Sequence, residues 1–354
     1  MSIEIFILVF FIFLLIGLPI GFVMAICSTL YFFFSGKEVF LNMVPERIFT
    51  GLNVFVLMAI PFFMLAGEIM NRAGMSERLV EFANLVVGRI RGGLAQVNVL
   101  ASLLFAGITG VALGDVSALG KIFIPSMEKQ GYSRVFAAAV TAASSLVGPI
   151  IPPSTIIVLY GAIMNVSVGA MFAGAIIPGI MIGLSDMIIV HYLAHKRNYP
   201  KQVVPITAKT LLIRSRDAAL ALIMPIIIVG GILGGVFTPT EAAAASVVYA
   251  LIVGLLIFRT ITVPGLVPIL RNAVVDSGRL FFIIAGAAIV GWVFAIENVP
   301  AFVEATFTSI TDNPILVILI VNVFFLVMGL WMEPGPMIIL FAPVIAPLAY
   351  GAGM

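Results

Sequence analysis

Apolar residues run almost without interruption along this chain, and the breaks between the runs are short and rich in glycine, proline or charge. The main runs are Ile3–Phe34, Leu94–Phe123, Val135–Asn165, Val168–Leu193, Ala218–Val236, Thr240–Phe258, Leu280–Ile296 and Ile315–Met354. They are continuous and do not alternate apolar with polar positions, so they do not read as strands of a transmembrane barrel. Each approaches or exceeds the roughly 20 residues that a helix needs to cross a bilayer. The pattern predicts an all-α polytopic membrane protein.

Composition narrows the functions open to such a chain. Of its 354 residues 62% are hydrophobic and 10% charged, against roughly 45–50% and about 25% in soluble domains. A mean hydropathy of +1.25 leaves almost nothing for a soluble catalytic domain, so function has to lie inside the bilayer. The formal net charge is +2, from 18 Lys and Arg against 16 Asp and Glu, which offers no basic patch for nucleic acid. One cysteine, Cys27, and two histidines, His191 and His195, exclude a disulfide framework, a cysteine zinc site and a haem ligation motif. No cofactor is implied. The opening run lacks a basic n-region and a small-residue cleavage site, so it reads as mature membrane structure.

The positions of Lys and Arg set the expected topology, because cytoplasmic loops carry their excess. Lys196, Arg197, Lys201, Lys209, Arg214 and Arg216 form the densest cluster, placed on the cytoplasmic side. Leu94–Phe123 has Arg89 and Arg91 before it and Lys129 and Arg134 after it, so both its ends read as cytoplasmic. Its middle, Gly107 to Asp115, holds three glycines, which favour a turn. A hairpin that enters the membrane and returns fits both facts; bent backbone at that depth is tolerated only within protein or against a cavity. Thr238-Pro239-Thr240-Glu241 has the form of a helix capping box. Arg271 and Arg279 mark a cytoplasmic surface segment ahead of Leu280–Ile296, and the stretch from Glu297 to Pro314, with Glu297, Glu304 and Asp312 and no Lys or Arg, suits the outer side.

The two halves read as one unit used twice. Leu79-Val80-Glu81 precedes Phe302-Val303-Glu304 by 223 residues, and at an offset of 222 Gly107 meets Gly329, Pro125 meets Pro347 and Gly131 meets Gly353. The first hairpin has basic flanks and the second none, so the copies have opposite orientation, an architecture of secondary transporters. The same offset divides the opening run into two short helices near Ile16–Gly17, with Met1 outside; a single helix kinked at Pro19 is the alternative.

Val147 to Thr155 carries the strongest local signal, because Pro149, Pro152 and Pro153 together with Gly148 cannot continue a helix. Carbonyls ahead of such a break lose partners and suit a hard cation such as sodium, while amides of the following half-helix suit a carboxylate. The alternative is a kink repaired by neighbours. Ser154 and Thr155 can cap the second half-helix. Ser102, Thr109, Ser117, Ser144 and Ser145 supply hydroxyls nearby, either as ligands or as packing contacts between helices. Asp115 is costly to bury and is a functional candidate on that ground, with pairing to Lys121 or to turn amides as its alternatives. Glu333 sits at the second interruption, Met332 to Met337, as its counterpart. Glu68 and Arg72 have the spacing of a structural ion pair, and His191 and His195 lie one turn apart at a helix end. No His-Glu-x-x-His occurs, and Leu113-Gly114-Asp115 has Ala112 where an intramembrane aspartyl protease would need glycine. The chain is therefore not read as an enzyme.

Phe105-Ala106-Gly107-Ile108-Thr109-Gly110, Asp115 to Gly120, Gly148 to Ser154 and Phe237 to Glu241, in this order, resemble the large membrane subunit of tripartite ATP-independent periplasmic (TRAP) transporters, as do Ala59 to Phe63 with Gly67. The resemblance covers the whole chain. It implies sodium-coupled uptake of an organic acid anion, of the sialic acid or C4-dicarboxylate class, in a bacterial inner membrane. Partners would be a soluble periplasmic binding protein and a small four-helix membrane subunit, and the mechanism an elevator. An inverted-repeat ion or anion porter without a binding protein is the alternative.

Combining both lines, sodium falls to Ser102, Thr109, Gly110, Asp115, Ser144, Ser145, Gly148 and Pro149 at the first hairpin tip and helix break; the substrate falls to Pro153, Ser154 and Thr155, and the second tip to Met332, Glu333 and Gly335. The expected division is scaffold and arm over 1–92, hairpin and broken helix over 93–193, a cytoplasmic loop over 194–216, a second scaffold and arm over 217–314, and a second hairpin over 315–354. Val111 departs from the small hydroxyl residue the family has after the tip glycine, and the second helix break, expected near 370–376, lies past Met354, which leads to the expectation that a C-terminal segment is missing.

Overall fold

A computed structural model describes residues 2–201, 207–310, 313–330 and 332–351, without the side chains of Thr109, Ala208, 307–310 and 349–351. Asp312 as an outer-side acid and the match of Gly131 to Gly353 fall outside the described residues. Regular structure among the described residues is helical, apart from one isolated bridge between Arg91 and Lys201. The first eight helices are α1 (Ile3–Leu15), α2 (Ile20–Phe34), α3 (Val44–Leu52), α4 (Ala59–Arg72), α5 (Met75–Val87), α6 (Gly93–Thr109), α7 (Ala112–Lys129) and α8 (Arg134–Ser144). After the proline-rich break come α9 (Thr155–Met164), α10 (Val168–Lys196), α11 (Ala208–Leu233), α12 (Pro239–Leu251), α13 (Leu266–Ile296), α14 (Val299–Ile310), α15 (Pro314–Met328) and α16 (Pro334–Gly351).

Helix is the form this composition demands, because lipid offers no hydrogen bonds and each segment must satisfy its own backbone. Among the described residues, five helices are long and apolar enough to cross a bilayer, over Phe55–Arg72, Val168–Lys196, Lys209–Leu233, Pro239–Ile257 and Leu266–Ile296. The capping box forms as expected: Glu241 N donates to Thr238 Oγ1, and the Glu241 carboxylate accepts from Thr238 N at 2.8 Å. Glu68 and Arg72 pair at 3.3 Å.

The opening run is two helices, as its repeat offset predicts, because Gly17 adopts φ +91° and Pro19 cannot extend the first. Other boundaries differ from the pattern-based reading. Gly110 and Val111 alone form the turn between α6 and α7, and Gly107 and Gly114 lie inside helices. Arg271 and Arg279 do not form a separate surface segment. They belong to α13, since after Pro268 in its first turn no proline interrupts that helix and Arg279 pairs with Asp276 at 3.1 Å. The boundaries of α7 and α16 are offset by 222 residues at both their starts, Ala112 and Pro334, and their ends, Lys129 and Gly351.

The chain forms two compact units. One comprises Met1–Leu57, Leu159–Val166 and Val275–Met354. Its aromatic core includes Phe6, set edge-on to Tyr31 and Phe294 at 6.0 and 6.1 Å, and Phe32, 4.8 Å from Trp292. Beyond the ends of α2 and α13, Lys37 Nζ donates to Glu297 Oε1 at 2.6 Å, and the Tyr31 hydroxyl donates to the same oxygen. The hydrogen bond from Lys37, followed by that from Tyr31, lowers the Glu297 pKa below its ordinary 4.5. A depressed carboxylate pKa stabilises the fold above the unfolded value and loses that contribution as pH falls through the folded one. Glu297→Gln is therefore expected to remove the part of the acid-induced fall in melting temperature that lies below about pH 4.5, read from pH-dependent melts. Identical acid limbs in the two proteins would refute the linkage.

The other unit comprises Met58–Val158 and Ser167–Val274 and is organised by α4 against α12 and by α6 against α5, α7, α8 and α10. Near the base of α6, Tyr132 stacks on Tyr199 at 4.4 Å and Phe136 on Tyr199 at 5.0 Å, while Gly92 N donates to Pro200 O. Burial pushes the Tyr132 phenol up to about 12, so this packed aromatic contact stays neutral across the physiological range. Arg214 pairs with Glu81 at 3.4 Å, tying α11 to α5.

Candidate functional site

The candidate site belongs to the second of these units, where the α6–α7 turn meets the break between α8 and α9. Gly110 ends α6 at φ +62°, the left-handed conformation that terminates helices, and Val111 is extended. A Cβ on Gly110 would fall 2.5 Å from the Pro153 carbonyl oxygen and 3.2 Å from Ser154 Cα, and one on Gly107 would fall 2.9 Å from Pro225 Cγ. Glycine is thus required at the turn for two reasons, its φ and the close approach of the broken strand of chain opposite.

On the other side, α8 tightens into a short 3-10 turn over Ser145–Val147 and then loses helical form until Thr155. The expected surplus of free carbonyls is smaller than proline chemistry alone suggests. Ser145 O accepts from Gly148 N, Val147 O accepts from the amides of Ile150 and Ile151, and Pro149 O accepts from Ser154 Oγ at 2.5 Å. Tight turns and a serine hydroxyl take up groups that the prolines would otherwise leave open. Ser154 also caps α9 by accepting from Ile157 N at 3.2 Å. Thr155 has a different partner: its hydroxyl donates to Gly110 O at 3.4 Å and ties the turn to the break.

Below this contact lies a buried polar seam. Ser102 and Ser144 hydroxyls share a hydrogen bond at 2.9 Å, and Ser145 Oγ donates to Thr141 O at 2.7 Å. Asp115, fully buried in the first turn of α7, faces the break: a Cβ on Gly148 would fall 2.6 Å from its Oδ2. Of the residues proposed for sodium, Ser102, Gly110, Asp115, Ser144, Ser145, Gly148 and Pro149 therefore lie on these two elements, and Pro153, Ser154 and Thr155 adjoin them. The side chain of Thr109 is outside the described residues. Met332, Glu333 and Gly335 belong to the other compact unit, between α15 and α16 or in the first turn of α16. Glu333 is exposed there, unlike Asp115, and precedes its helix instead of lying within it.

Two polar residues of the seam escaped the sequence reading. Asn98 Nδ2 donates to Thr141 Oγ1 at 2.7 Å, and that hydroxyl donates to Ala137 O. The signal was available: Asn98 and Ser102 stand four apart in an otherwise apolar stretch, and Thr141 stands three and four before Ser144 and Ser145. Among the described residues no cluster of His, Cys, Asp and Glu could hold a transition metal. The oxygens gathered here are hydroxyls, amides and one carboxylate, a set suited to a hard cation of low charge.

An all-helical multi-pass protein with such a polar seam inside its apolar helices belongs to the class of membrane permeases. Comparison with known proteins gives the family. Residues 7–354 match the model of the tripartite ATP-independent periplasmic transporter, DctM component. The chain is 37% identical over 339 residues to the sialic acid TRAP transporter large permease protein SiaM of Vibrio cholerae serotype O1, covering 96% of this chain and 79% of that protein. It is 36% identical over 362 residues to the C4-dicarboxylate TRAP transporter large permease protein DctM of the same organism, covering 96% and 80%. It is 34% identical over 340 residues to the 2,3-diketo-L-gulonate TRAP transporter large permease protein YiaN of Escherichia coli strain K12, covering 96% and 79%. The chain belongs to the DctM family of TRAP transporter large permeases. It is a transporter component and not an enzyme.

Proposed function

We propose that this chain is the large permease of a sodium-coupled TRAP transporter that imports an organic acid anion across a bacterial inner membrane. Its partners are a small four-helix membrane subunit and a periplasmic binding protein that delivers the substrate. Relatives named for sialic acid, a C4-dicarboxylate and 2,3-diketo-L-gulonate all handle organic acids, which supports that class. The observation that carries the reading is the contact of the Gly110 turn with the Pro149–Thr155 break, lined by Asp115 and buried hydroxyls.

Sodium bound at this contact neutralises the buried carboxylate and favours an anion at the neighbouring half-helix N-terminus, so each ligand raises the affinity for the other. The common 222-residue offset of α7 and α16 supports a duplicated architecture in which α15 and α16 form the second hairpin. The two-residue turn between α6 and α7 supports movement of that hairpin as a body, as an elevator requires.

Vesicles reconstituted with both membrane subunits test the reading. Uptake of labelled sialic acid or a C4-dicarboxylate is expected only with an inward sodium gradient and the binding protein present. Equal uptake with the binding protein omitted, or with potassium in place of sodium, would overturn it.

A further inference from the structure

We propose that Asn98 and Thr141 form a second cation station, one turn of α6 before Ser102 of the proposed tip site, where a monovalent cation rests between that site and the base of the hairpin. The inference rests on the sodium reading above and adds a site to it. Asn98 is fully buried, and its Oδ1 is enclosed and receives no hydrogen bond. Its amide nitrogen is already committed to Thr141 Oγ1 at 2.7 Å, so the side chain is held with the carbonyl oxygen left over. Buried polar atoms nearly always have partners, and an orphan acceptor costs about 1–3 kcal/mol. Thr141 Oγ1 donates its proton to Ala137 O at 2.9 Å and so presents a lone pair, and Ser102 stands one turn along the same face of α6, bonded to Ser144.

Position and charge identify the ligand. An enclosed acceptor left without a donor is the complement of a cation. The rung contains amide and hydroxyl oxygens and no carboxylate, and neutral oxygens cannot offset the desolvation of a divalent ion, which selects a monovalent one. Asn98 stands four residues before Ser102 on α6, about 6 Å along the axis, a short step for an ion leaving the Ser102 end of the proposed site toward the basic-flanked base of the hairpin. The station therefore lies on the exit side of the proposed site. Passing an ion between neighbouring oxygen cages avoids exposing it to the apolar interior in transit.

Binding of radioactive sodium to the complete permease complex in nanodiscs tests this, with Asn98→Leu and the near-isosteric Thr141→Val compared with Asp115→Asn. In wild-type protein, sodium binding displaceable by unlabelled sodium is expected at more than one equivalent. Asn98→Leu and Thr141→Val are each expected to lose one equivalent, or to weaken it roughly tenfold or more, while the tip site still binds. Full wild-type stoichiometry and affinity in Thr141→Val would overturn the station, whatever the fate of Asn98→Leu, because Thr141→Val keeps the packed volume. In that case loss of binding in Asp115→Asn would leave the tip reading standing. Absence of any sodium binding by the wild-type complex would overturn both.

Discussion

Asp115→Asn is expected to raise the sodium concentration for half-maximal uptake by roughly ten- to a hundredfold, since an interaction with a charged group is worth about 1.5–3 kcal/mol. The substitution keeps the side-chain volume, so membrane insertion and melting in the absence of sodium should change little. What it removes is one carboxyl oxygen of a fully buried group set against Gly148 at the helix break. Ser145→Ala is expected to act in the same direction and more weakly, because the lost group is neutral and its hydroxyl already donates to Thr141 O. Sodium-dependent uptake measured in vesicles decides the matter. Unchanged half-maximal sodium in both variants would remove Asp115 and Ser145 from the site.

Gly110→Val is expected to abolish uptake and to destabilise the unit that holds the turn. A left-handed backbone costs a non-glycine residue about 1–2 kcal/mol, and forcing side-chain atoms into a filled space typically costs about 1–3 kcal/mol more. Both apply, since Gly110 has φ +62° and its Cβ would sit 2.5 Å from the Pro153 carbonyl. Gly114→Ala supplies the contrast. It lies in α7 with open space around the Cβ position, so gaining a methyl group there should be neutral or slightly stabilising, by up to about 1 kcal/mol. Near wild-type transport and melting in Gly110→Val would mean that the turn does not bear on the break as described.

The helical class, a turn within Leu94–Phe123 and the break at Gly148–Pro153 were legible because each depends on local chemistry: apolar runs, glycine and proline. Gly110, not Gly107 or Gly114, as the turn residue was not legible, since all three glycines permit a turn and only packing against Pro153 and Pro225 distinguishes them. Nor was the fate of the carbonyls at the break, which depends on the rotamer of Ser154 and a 3-10 turn. Asn98 and Thr141 went unread because a single polar residue in an apolar helix gains meaning only from the helix that it faces. The arginines of α13 misled for the converse reason. Charge marks a surface position along the chain but does not end a helix.

The bond between Lys37 and Glu297 joins residues 260 positions apart, and it has a consequence for how the protein is made. At roughly 5–20 residues per second, a ribosome needs about 13–50 s to travel from one to the other. All of the second compact unit, through Val274, is synthesised before Val275 opens the last segment of the first. Helices α1 and α2 must therefore wait in the membrane, with Lys37 lacking Glu297 and the aromatic core around Phe6 and Tyr31 lacking Phe294, until α13 has emerged. The nascent chain is thus most exposed to premature pairing and quality control during that interval, at α1 and α2 and not at its growing end.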